Sequence, residues 1–383
     1  MSKIMDFDNI EDLRTTHLVK WSPEFTAHDV IPMWVADMDF PTAPSISDAL
    51  QVHARSANFG YRHRPARLFE SILNWFQQRH QWRMQTDWIV PTPGVIPSIQ
   101  MAIQSVTNPG EGVIVQTPAY YPFFSSVTTH NRELIINPLI GSTDGYRFDW
   151  QLFEAQLTKA SAFLLCNPHN PVGRAWRMDE LTKIVELCSK YQVSIISDDI
   201  HCDLVFPPNR YMPIPILPTT TDVDVVYCYS PSKSFGLSGL NTAFTVIPNP
   251  VLRKKYLSKL HSTGYYWGNS FGDAALEAAY AHGVEWMDTF KVYLSRNIEI
   301  LTHRLTEIGG IELMPIEATY LAWLDFRATG LSEEEVSQRL SMAKVQLEKG
   351  SVFGEDGRGF QRMTIATQSF NLEETLSRIS RVF

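Results

Sequence analysis

The segment that most constrains this chain is a polar stretch around a lysine, residues 230–239, which reads SPSKSFGLSG. It follows a largely apolar run, residues 223–229, that predicts a buried strand. A lysine at the end of a strand, here Lys233, can form a Schiff base with an aldehyde cofactor. Hydroxyls such as those of Ser230 and Ser232 can hydrogen-bond a phosphate. A polar loop with a solvated lysine is the alternative, and this stretch alone leaves both interpretations open.

The composition is that of an ordinary globular protein large enough for two domains. The chain has 383 residues, of which 44% are hydrophobic and 19% charged, and its formal net charge is −8. The negative charge and the lack of a Lys/Arg-rich run argue against nucleic-acid binding. No apolar stretch is long enough to cross a bilayer. Residues 1–13 carry acidic groups where a signal peptide needs a basic and then an apolar run. We therefore expect no membrane association.

The cysteines indicate a reducing compartment. The chain has four of them, Cys166, Cys188, Cys202 and Cys228, and they are scattered without CxxC pairs. Three of the four lie in or beside apolar, strand-like runs. Free, buried thiols are the expected state of such cysteines, and a structural zinc site is not expected. We predict a cytoplasmic protein.

Strand-like and helix-like segments alternate between residues 88 and 247, which predicts a mostly parallel sheet covered by helices. The rest of the chain is first helical and then mixed, without a repeat or a flexible linker. We therefore predict an α/β protein with a large domain over residues 46–285. A smaller α+β domain would be built from residues 1–45 and 286–383. The candidate site residues follow strands, at the carboxyl ends where open α/β sheets bind ligands.

A second anion-binding element is predicted after the short strand at residues 88–90. A glycine-containing turn leads there into a helix, and the free N–H groups and the dipole of a helix start both attract an anion. Gly94 lets the backbone approach closely, and the amides of Val95 and Ile96 are the expected donors. Together with the hydroxyls of the lysine segment, these amides would hold one phosphate.

An acidic residue follows another predicted strand, residues 193–197. A carboxylate at this place, here Asp198, can pair with a pyridine nitrogen and keep it protonated, which makes the ring an electron sink. A metal site built from Asp198, Asp199 and His201 is the alternative. It is the weaker one because the segment supplies no fourth ligand nearby, and we predict no metal.

Four motifs together resemble the fold-type I enzymes that use pyridoxal 5'-phosphate (PLP). In chain order they are WVADMDF at residues 34–40, PGVIP at 93–97, NPHNPVG at 167–173 and SKSFGLSGL at 232–240. The first two resemble the class II aminotransferase-like subgroup that holds the MalY/PatB type of cystathionine β-lyases and cysteine C–S lyases. The likeness runs from about Ile31 to Arg362 and so covers nearly the whole chain. It implies the fold-type I PLP-transferase fold, with PLP as the cofactor.

The resemblance assigns roles around the cofactor ring. It implies that Lys233 forms the Schiff base, that Asn170 donates to the cofactor's 3-oxygen, and that His201 contacts the same oxygen. Tyr120 would stack on the pyridine ring. Tyr121 would sit near the lysine and either transfer a proton or position a partner. Without the resemblance, both tyrosines would be interpreted as core residues.

The resemblance also implies a homodimer and a place for the substrate. Tyr61 would reach across the dimer to the phosphate of the partner subunit's cofactor, although by itself it reads as a surface or packing residue. Arg362 would clamp the substrate α-carboxylate, since a guanidinium offers a bidentate fork. A strand arginine facing solvent is the alternative. The backbone at Val35 and Ala36 would lie near the same carboxylate.

Three positions depart from the patterns of the relatives. Asn241 stands where many aminotransferases carry an arginine that holds the phosphate. Asp199 stands where relatives often carry glutamate, and Thr364 where they usually have asparagine. The first departure is compatible with the lyase subgroup, in which serines, backbone amides and the partner's tyrosine would hold the phosphate.

The expected chemistry is carbanion formation at the α-carbon of an amino acid. Lys233 would remove the α-proton, and loss of a sulfur leaving group from the β-carbon would give pyruvate, ammonia and a thiol. Return of the proton to the cofactor would instead make the protein an aminotransferase, with the same residues. A PLP-fold module without catalysis is opposed by the intact Lys233, Asp198 and Asn170. A nucleotide phosphotransferase is opposed by the lack of a GxxxxGK[ST] loop.

Overall fold

The computed structural model describes residues 5–8, 12–218 and 222–383. Its α-helices are α1 (Pro44–Arg55), α2 (Ala66–His80), α3 (Val95–Val106), α4 (Pro122–Thr128), α5 (Trp150–Leu157), α6 (Met178–Tyr191), α7 (Ser232–Phe235), α8 (Pro250–Ser262), α9 (Ser270–His282), α10 (Val284–Thr306), α11 (Glu333–Met342) and α12 (Ser369–Ile379). Its strands are β1 (Ile31–Pro32), β2 (Ile89–Thr92), β3 (Gly112–Thr117), β4 (Glu133–Pro138), β5 (Ile140–Ser142), β6 (Gly145–Arg147), β7 (Ala160–Cys166), β8 (Ser194–Asp198), β9 (Val225–Tyr229), β10 (Ala243–Val246), β11 (Glu312–Leu313), β12 (Leu321–Asp325), β13 (Val345–Gln346), β14 (Glu348–Lys349) and β15 (Phe360–Thr364).

The central element is a seven-stranded sheet with the order β2-β10-β9-β8-β7-β3-β4. The pairs from β9 through β4 are parallel, whereas β10 is antiparallel to both of its neighbours. Six strands therefore point the same way and only β10 is reversed. Their carboxyl ends gather at one edge of the sheet, where the start of β10 joins them. The mostly parallel sheet predicted from the alternation of segments is confirmed.

Strand β7 shows why the sheet is covered on both faces. Its side chains alternate between two apolar layers: Phe163 and Leu165 belong to one, and Ala162 and Leu164 to the other. All four are buried. A strand that is apolar on both sides can be stable only between two layers of helices, because each face needs its own cover.

A smaller antiparallel sheet, in the order β11-β12-β15-β14, is built from the carboxyl-terminal part of the chain. Strand β1 pairs with β13, which ties the amino-terminal segment to the same region. The two sheets fall in the two parts of the chain that were assigned to different domains. The boundaries themselves, residues 46–285 against 1–45 with 286–383, stay a prediction.

Between β1 and α1 the chain has no regular structure. Residues 34–40, called the strap below, cross from the small sheet to the large one. The strap is held along β15 by backbone bonds on both sides: the amide of Thr364 donates to the carbonyl of Met33, and the amide of Asp39 donates to the carbonyl of Ala366. Any side chain or carbonyl on the strap is therefore fixed relative to β15.

All four cysteines are buried and free, as predicted. Within the described ranges, no helix is both long enough and apolar enough to cross a bilayer.

Candidate active site

The carboxyl ends of the parallel strands enclose a cavity of about 300 Å³. Register explains the convergence, because Asp198 at the end of β8 is level with Cys166 of β7 and with Cys228 of β9. A cavity of this size lies at the lower end of the range for small-molecule sites. Eleven predicted site residues line it: Ala36, Gly94, Val95, Ile96, Tyr120, Asn170, Asp198, His201, Ser230, Ser232 and Lys233.

At one end of the cavity, helix α3 begins without a side-chain cap. Its first intrahelical bond runs from the amide of Ser98 to the carbonyl of Gly94, at 3.1 Å. Because Pro97 has no N–H, the first turn offers just two free amides, those of Val95 and Ile96, as predicted. Gly94 has φ 154° and ψ 163°, a conformation that only glycine adopts readily. This end of the cavity is a built site for an anion.

Two serines face the same end: Ser230 just before the short helix α7, and Ser232 at its first position. Ser230 Oγ lies 2.7 Å from both Ser232 Oγ and the carbonyl of Thr242. The carbonyl can only accept, so it takes the single Ser230 proton, and the bond between the two hydroxyls is then donated by Ser232 to Ser230. A phosphate in the cavity can take this Ser232 proton instead. The amide of Ser232 also donates to Ser230 Oγ, at 3.1 Å. Ser230 therefore positions Ser232.

The other end of the cavity carries a buried carboxylate. Asp198 Oδ1 accepts a bond from the amide of Ile200 at 3.2 Å. Burial raises the pKa of Asp198 to about 7, although the bond from Ile200 and the charge of Lys233 oppose the shift. Desolvation favours the neutral acid over the carboxylate. A cationic partner entering the cavity would restore the ionised form.

Behind Asp198, its neighbour Asp199 is also buried. It accepts a hydrogen bond from the hydroxyl of Tyr211 at 2.9 Å, and Tyr211 lies 2.8 Å from the hydroxyl of Tyr229. Burial raises the pKa of Asp199 to about 8, and the nearby charge of Asp198 adds to the shift. Asp199 does not line the cavity.

Two polar side chains flank the middle of the cavity. Burial lowers the pKa of His201 to about 3, helped by the positive charges of Lys233 and Arg362, so the ring is neutral at physiological pH. Its Nδ1 is buried and has no partner among the described residues. Asn170 Oδ1 accepts a bond from Arg362 Nη1 at 3.2 Å, which leaves the amide group of Asn170 to donate into the cavity.

Lys233 is partly buried in α7, with its amine turned toward the strap. Lys233 Nζ donates to the carbonyl of Ala36 at 2.6 Å and lies 3.5 Å from Ser238 Oγ. Burial lowers the pKa of the amine below the usual lysine value. A lower pKa increases the neutral fraction that can act as nucleophile or base.

Arg362 of β15 is buried, at 3% exposure, and the alternative of a solvent-facing strand arginine is wrong. Its Nη2 donates to the carbonyl of Trp34 at 2.9 Å, and its guanidinium carbon lies 4.8 Å from the ring centre of Phe353. Nε is buried and has no partner among the described residues. A buried guanidinium with an unused N–H is suited to a carboxylate ligand.

The residues of the WVADMDF motif hold the arginine and the lysine of the site and anchor the strap itself. Backbone carbonyls of Trp34 and Ala36 accept bonds from the arginine and the lysine of the site. Asp39 fixes the strap from below, because its carboxylate pairs with Lys20 at 2.8 Å and accepts a bond from Trp21 Nε1 at 2.6 Å. Val35 does not line the cavity, so its predicted role beside the substrate stays a prediction.

Two predicted tyrosines lie outside the cavity. Tyr121 is half-exposed, with its ring centre 5.3 Å from that of Tyr120, which does line the cavity. Tyr61 is 89% exposed and does not line the cavity of its own chain. The roles of Tyr121 and Tyr61 therefore stay predictions.

The sequence interpretation missed several residues of the site. Ser238 and Thr242 line the cavity, and both follow the lysine closely in the chain, where spacing could have suggested them. Tyr320 is fully buried, and its hydroxyl donates to the carbonyl of Ala36 at 3.3 Å. No signal near Tyr320 in the sequence points to this site, because the contact depends on how the small sheet meets the strap.

The metal alternative gains no support from the geometry. Asp198, Asp199 and His201 do not converge on a common point, whereas His80, Cys202 and Asp203 do within the described ranges. The Asp203 carboxylate, however, already accepts bonds from Trp75 Nε1, Ser234 Oγ and the His80 ring nitrogen, at 2.8 to 2.9 Å. It serves as a hydrogen-bond acceptor inside the core.

A lysine, a buried carboxylate and an anion cradle at one edge of a mostly parallel sheet define a PLP enzyme of fold type I. The family described as aminotransferase class I and II matches residues 28–379. Cystathionine beta-lyase PatB of Bacillus subtilis is 37% identical over 382 residues, which covers 98% of this chain and 99% of PatB. Protein MalY of Escherichia coli is 31% identical, with 97% of each chain covered.

Among solved structures, cystalysin from Treponema denticola, which contains a pyridoxal 5'-phosphate cofactor, has a TM-score of 0.94. The two chains are 30% identical, and the alignment covers 99% of each. The chain therefore belongs to the aminotransferase class I and II family. The fold class, the MalY/PatB resemblance and, at the level of the family, the PLP cofactor are confirmed.

The residues present fit this cofactor. The free amides after Gly94 and the Ser232 hydroxyl suit a phosphate, and the buried carboxylate of Asp198 suits a protonated ring nitrogen. The free amide group of Asn170 and the unpartnered ring nitrogen of His201 suit a ring oxygen between these ends. Each of these buried polar groups of the cavity thus has a complementary group on PLP.

Proposed function

We propose that the protein is a PLP-dependent carbon–sulfur β-lyase that cleaves cystathionine- or cysteine-type amino acids to pyruvate, ammonia and a thiol. The observation that carries the α-carbon chemistry is one cavity lined by Lys233 and by the buried carboxylate of Asp198, with the buried guanidinium of Arg362 bonded to Asn170 of the same lining. The choice of a sulfur leaving group rests on similarity over the full length to a cystathionine beta-lyase.

When bound, PLP supplies a protonated ring that takes up the electron pair left by removal of the α-proton. Asp198 keeps the ring nitrogen protonated, and the pairing offsets the desolvation that raises the pKa of the free carboxyl. Asn170 donates its amide N–H to the ring oxygen while its own oxygen stays bonded to Arg362. The ring position and the substrate clamp are therefore coupled through one side chain.

Arg362 holds the substrate α-carboxylate. It is preorganised, because the carbonyl of Trp34 and the side-chain oxygen of Asn170 each occupy one of its terminal nitrogens. Glu348, which faces Arg362 across the β14–β15 pair, favours the charged guanidinium. Fixing the carboxylate directs the α-C–H bond toward Lys233.

Lys233 is the general base. Its amine is desolvated, which lowers its pKa, and it sits at the rim of the cavity between the strap and Asp198. A base with a pKa closer to physiological pH is neutral more of the time and removes a proton more effectively. After the proton transfer, the ammonium can return a proton to the departing sulfur.

We also propose that the enzyme works as a homodimer in which the partner supplies Tyr61. The surface around Tyr61 is unusually aromatic, with exposed Phe59, Tyr266 and Trp267 close by in the chain or in space. Exposed aromatic patches of this kind are typical of interfaces. The phosphate end of the cavity has two amides and a hydroxyl. Eight residues after the lysine the chain has Asn241, where many aminotransferases carry an arginine that holds the phosphate. A further donor from the partner is therefore useful there.

A cytoplasmic location is proposed on the state of the thiols, since all four are free and buried. The substrate is a small amino acid. The negative net charge gives no reason to expect nucleic acid as a partner.

An aminotransferase is the second candidate, and the family description supports it. Product analysis with L-cystathionine separates the two, with Lys233→Ala as the inactive control. Equal amounts of pyruvate, ammonia and homocysteine are expected for the lyase. Conversion of PLP to its amine form, with a keto acid that retains the whole side chain, would overturn the lyase proposal in favour of the aminotransferase.

A further inference from the structure

The amine of Lys233 has a defined place in the structure. Its Nζ donates to the carbonyl of Ala36 at 2.6 Å, and the hydroxyl of Tyr320 donates to the same oxygen at 3.3 Å. Among the described residues, the amine in this position makes no hydrogen bond to Asp198. The strap therefore offers the lysine a second position, away from the ring end of the cavity.

The residue after Ala36 on the strap is an aspartate, Asp37. Ser238 Oγ lies 3.5 Å from Asp37 Oδ1 and 3.5 Å from Lys233 Nζ, so it stands between the two charges. Asp37 is partly buried, and its Oδ1 also accepts a bond from the amide of Met38 at 3.2 Å. The carboxylate is thus oriented toward the lysine side of the strap.

The charges that face Lys233 come from three elements. Asp37 on the strap and Asp198 on β8 attract the ammonium, and Arg362 on β15 repels it. Burial lowers the pKa of the lysine, and Asp37 is the strongest of the influences that raise it, ahead of Asp198. Asp198 is in addition the group expected to pair with the cofactor ring, so it is not available to the lysine during the reaction.

The strap cannot move freely. Two residues after Asp37, the carboxylate of Asp39 is buried in its ion pair with Lys20. Met38 packs against Gly236 of the lysine segment, where a side chain carbon would come within 3.0 Å of the Met38 sulfur. Gly236 has φ 68°, and so both its conformation and its lack of a side chain keep the strap close to α7.

We propose that Asp37 is a positioning residue: it stabilises the ammonium that Lys233 forms when it takes the α-proton, and holds it at the carbonyl of Ala36, with Ser238 between the charges. The proposal rests on the proposed function, in which this lysine alternates between the cofactor and the free state. In the free state Asp37 stabilises the proton that Lys233 removes and keeps the lysine away from Asp198. In Asp37→Asn the ammonium would still be repelled by Arg362, and only the weaker attraction of Asp198 would oppose that repulsion.

Competitive labelling of the full-length apoprotein with acetic anhydride between pH 6 and 11 measures the pKa of Lys233 directly. The extent of labelling is read from the peptide that contains Lys233 by mass spectrometry. An opposite charge a few ångströms away raises a lysine pKa by about one unit or more. Asp37→Asn should therefore lower the pKa of Lys233 by about one unit. Asp37→Glu should restore part of it, and Ser238→Ala should cause a smaller decrease.

Asp39→Asn is the matched control, because it removes a carboxylate from the same strap. It should lower the melting temperature by breaking the buried pair with Lys20. It should leave the pKa of Lys233 within about 0.3 units of the wild type, because the backbone bonds that tie the strap to β15 and to Ala366 remain. The proposal is overturned if Asp37→Asn titrates like the wild type, or if Asp39→Asn shifts the pKa of Lys233 as far as Asp37→Asn does.

The holoenzyme gives an independent readout. In the substrate complex the lysine is free, so the acidic limb of the kcat profile reports its pKa. The limb should move to lower pH in Asp37→Asn by the shift found in labelling. A labelling shift in a protein that releases no pyruvate would refute the lyase function and leave the role of Asp37 intact. Pyruvate release without any shift would refute only the role of Asp37.

Discussion

Replacing Asp198 by asparagine should destroy activity and at the same time stabilise the apoprotein at neutral and basic pH. Without a cationic partner, burial raises the pKa of Asp198 from 3.8 to about 7. The folded state then binds the proton more tightly than the unfolded state does. The contribution to stability is complete below the unfolded pKa of about 4 and is lost as the pH rises through about 7.

The magnitude follows from this difference in pKa. About three pKa units, at 1.36 kcal/mol each, amount to roughly 4 kcal/mol of lost stability at pH 8. At pH 5 the loss is only about 1.7 kcal/mol, so the change between pH 5 and 8 is roughly 2.5 kcal/mol. The asparagine in Asp198→Asn would still accept the bond from Ile200, but its unpaired N–H groups carry a cost of about 1–3 kcal/mol that does not vary with pH.

Urea denaturation of the two apoproteins from pH 5 to 8 tests this reasoning. The difference in unfolding free energy should shift in favour of Asp198→Asn by roughly 2.5 kcal/mol over this interval. The matched control is Asp203→Asn, at an equally buried carboxylate that three donors contact. Because its partners lower the pKa of Asp203 below 3.8, this control should destabilise the protein by an amount that stays nearly constant from pH 5 to 8. A difference for Asp198→Asn that is flat, or that falls with pH, would refute the argument.

Two further predictions concern the lysine and the dimer. The protein loaded with PLP should be yellow, and Lys233→Ala should lose the absorbance band of the lysine-bound cofactor; a wild type that stays colourless and inactive with added PLP would contradict this role. Mixing inactive Tyr61→Phe with inactive Lys233→Ala subunits should restore up to about a quarter of the wild-type activity, because one site in a hybrid dimer has both residues intact. No recovery despite proven subunit exchange, or an active monomer, would count against a shared site.

The large sheet and the contents of its cavity could be predicted from the sequence because their signals are local. Each strand is an apolar run that ends in a polar turn, and parallel strands bring all such ends to one edge. Asp198 and Asn170 were found in this way, as were the two amides after Gly94, since a helix start leaves its N–H groups free whatever lies around it. These residues need no knowledge of distant parts of the chain.

The residues that hold the lysine and the arginine could not be predicted in the same way. Trp34 and Ala36 act through backbone carbonyls, which every residue has, so their identity carries no signal. Tyr320 directly precedes β12 and Arg362 lies on its neighbour β15, and only the docking of the small sheet on the strap brings both to the strap carbonyls. The buried pair of Asp39 with Lys20 is what makes the docking specific, because a one-residue slip of the strap would leave both charges buried and unpaired. The WVADMDF motif thus fixes the positions of the carbonyls of Trp34 and Ala36 and of the carboxylate of Asp39. The role of the two carbonyls becomes visible only once the fold is known.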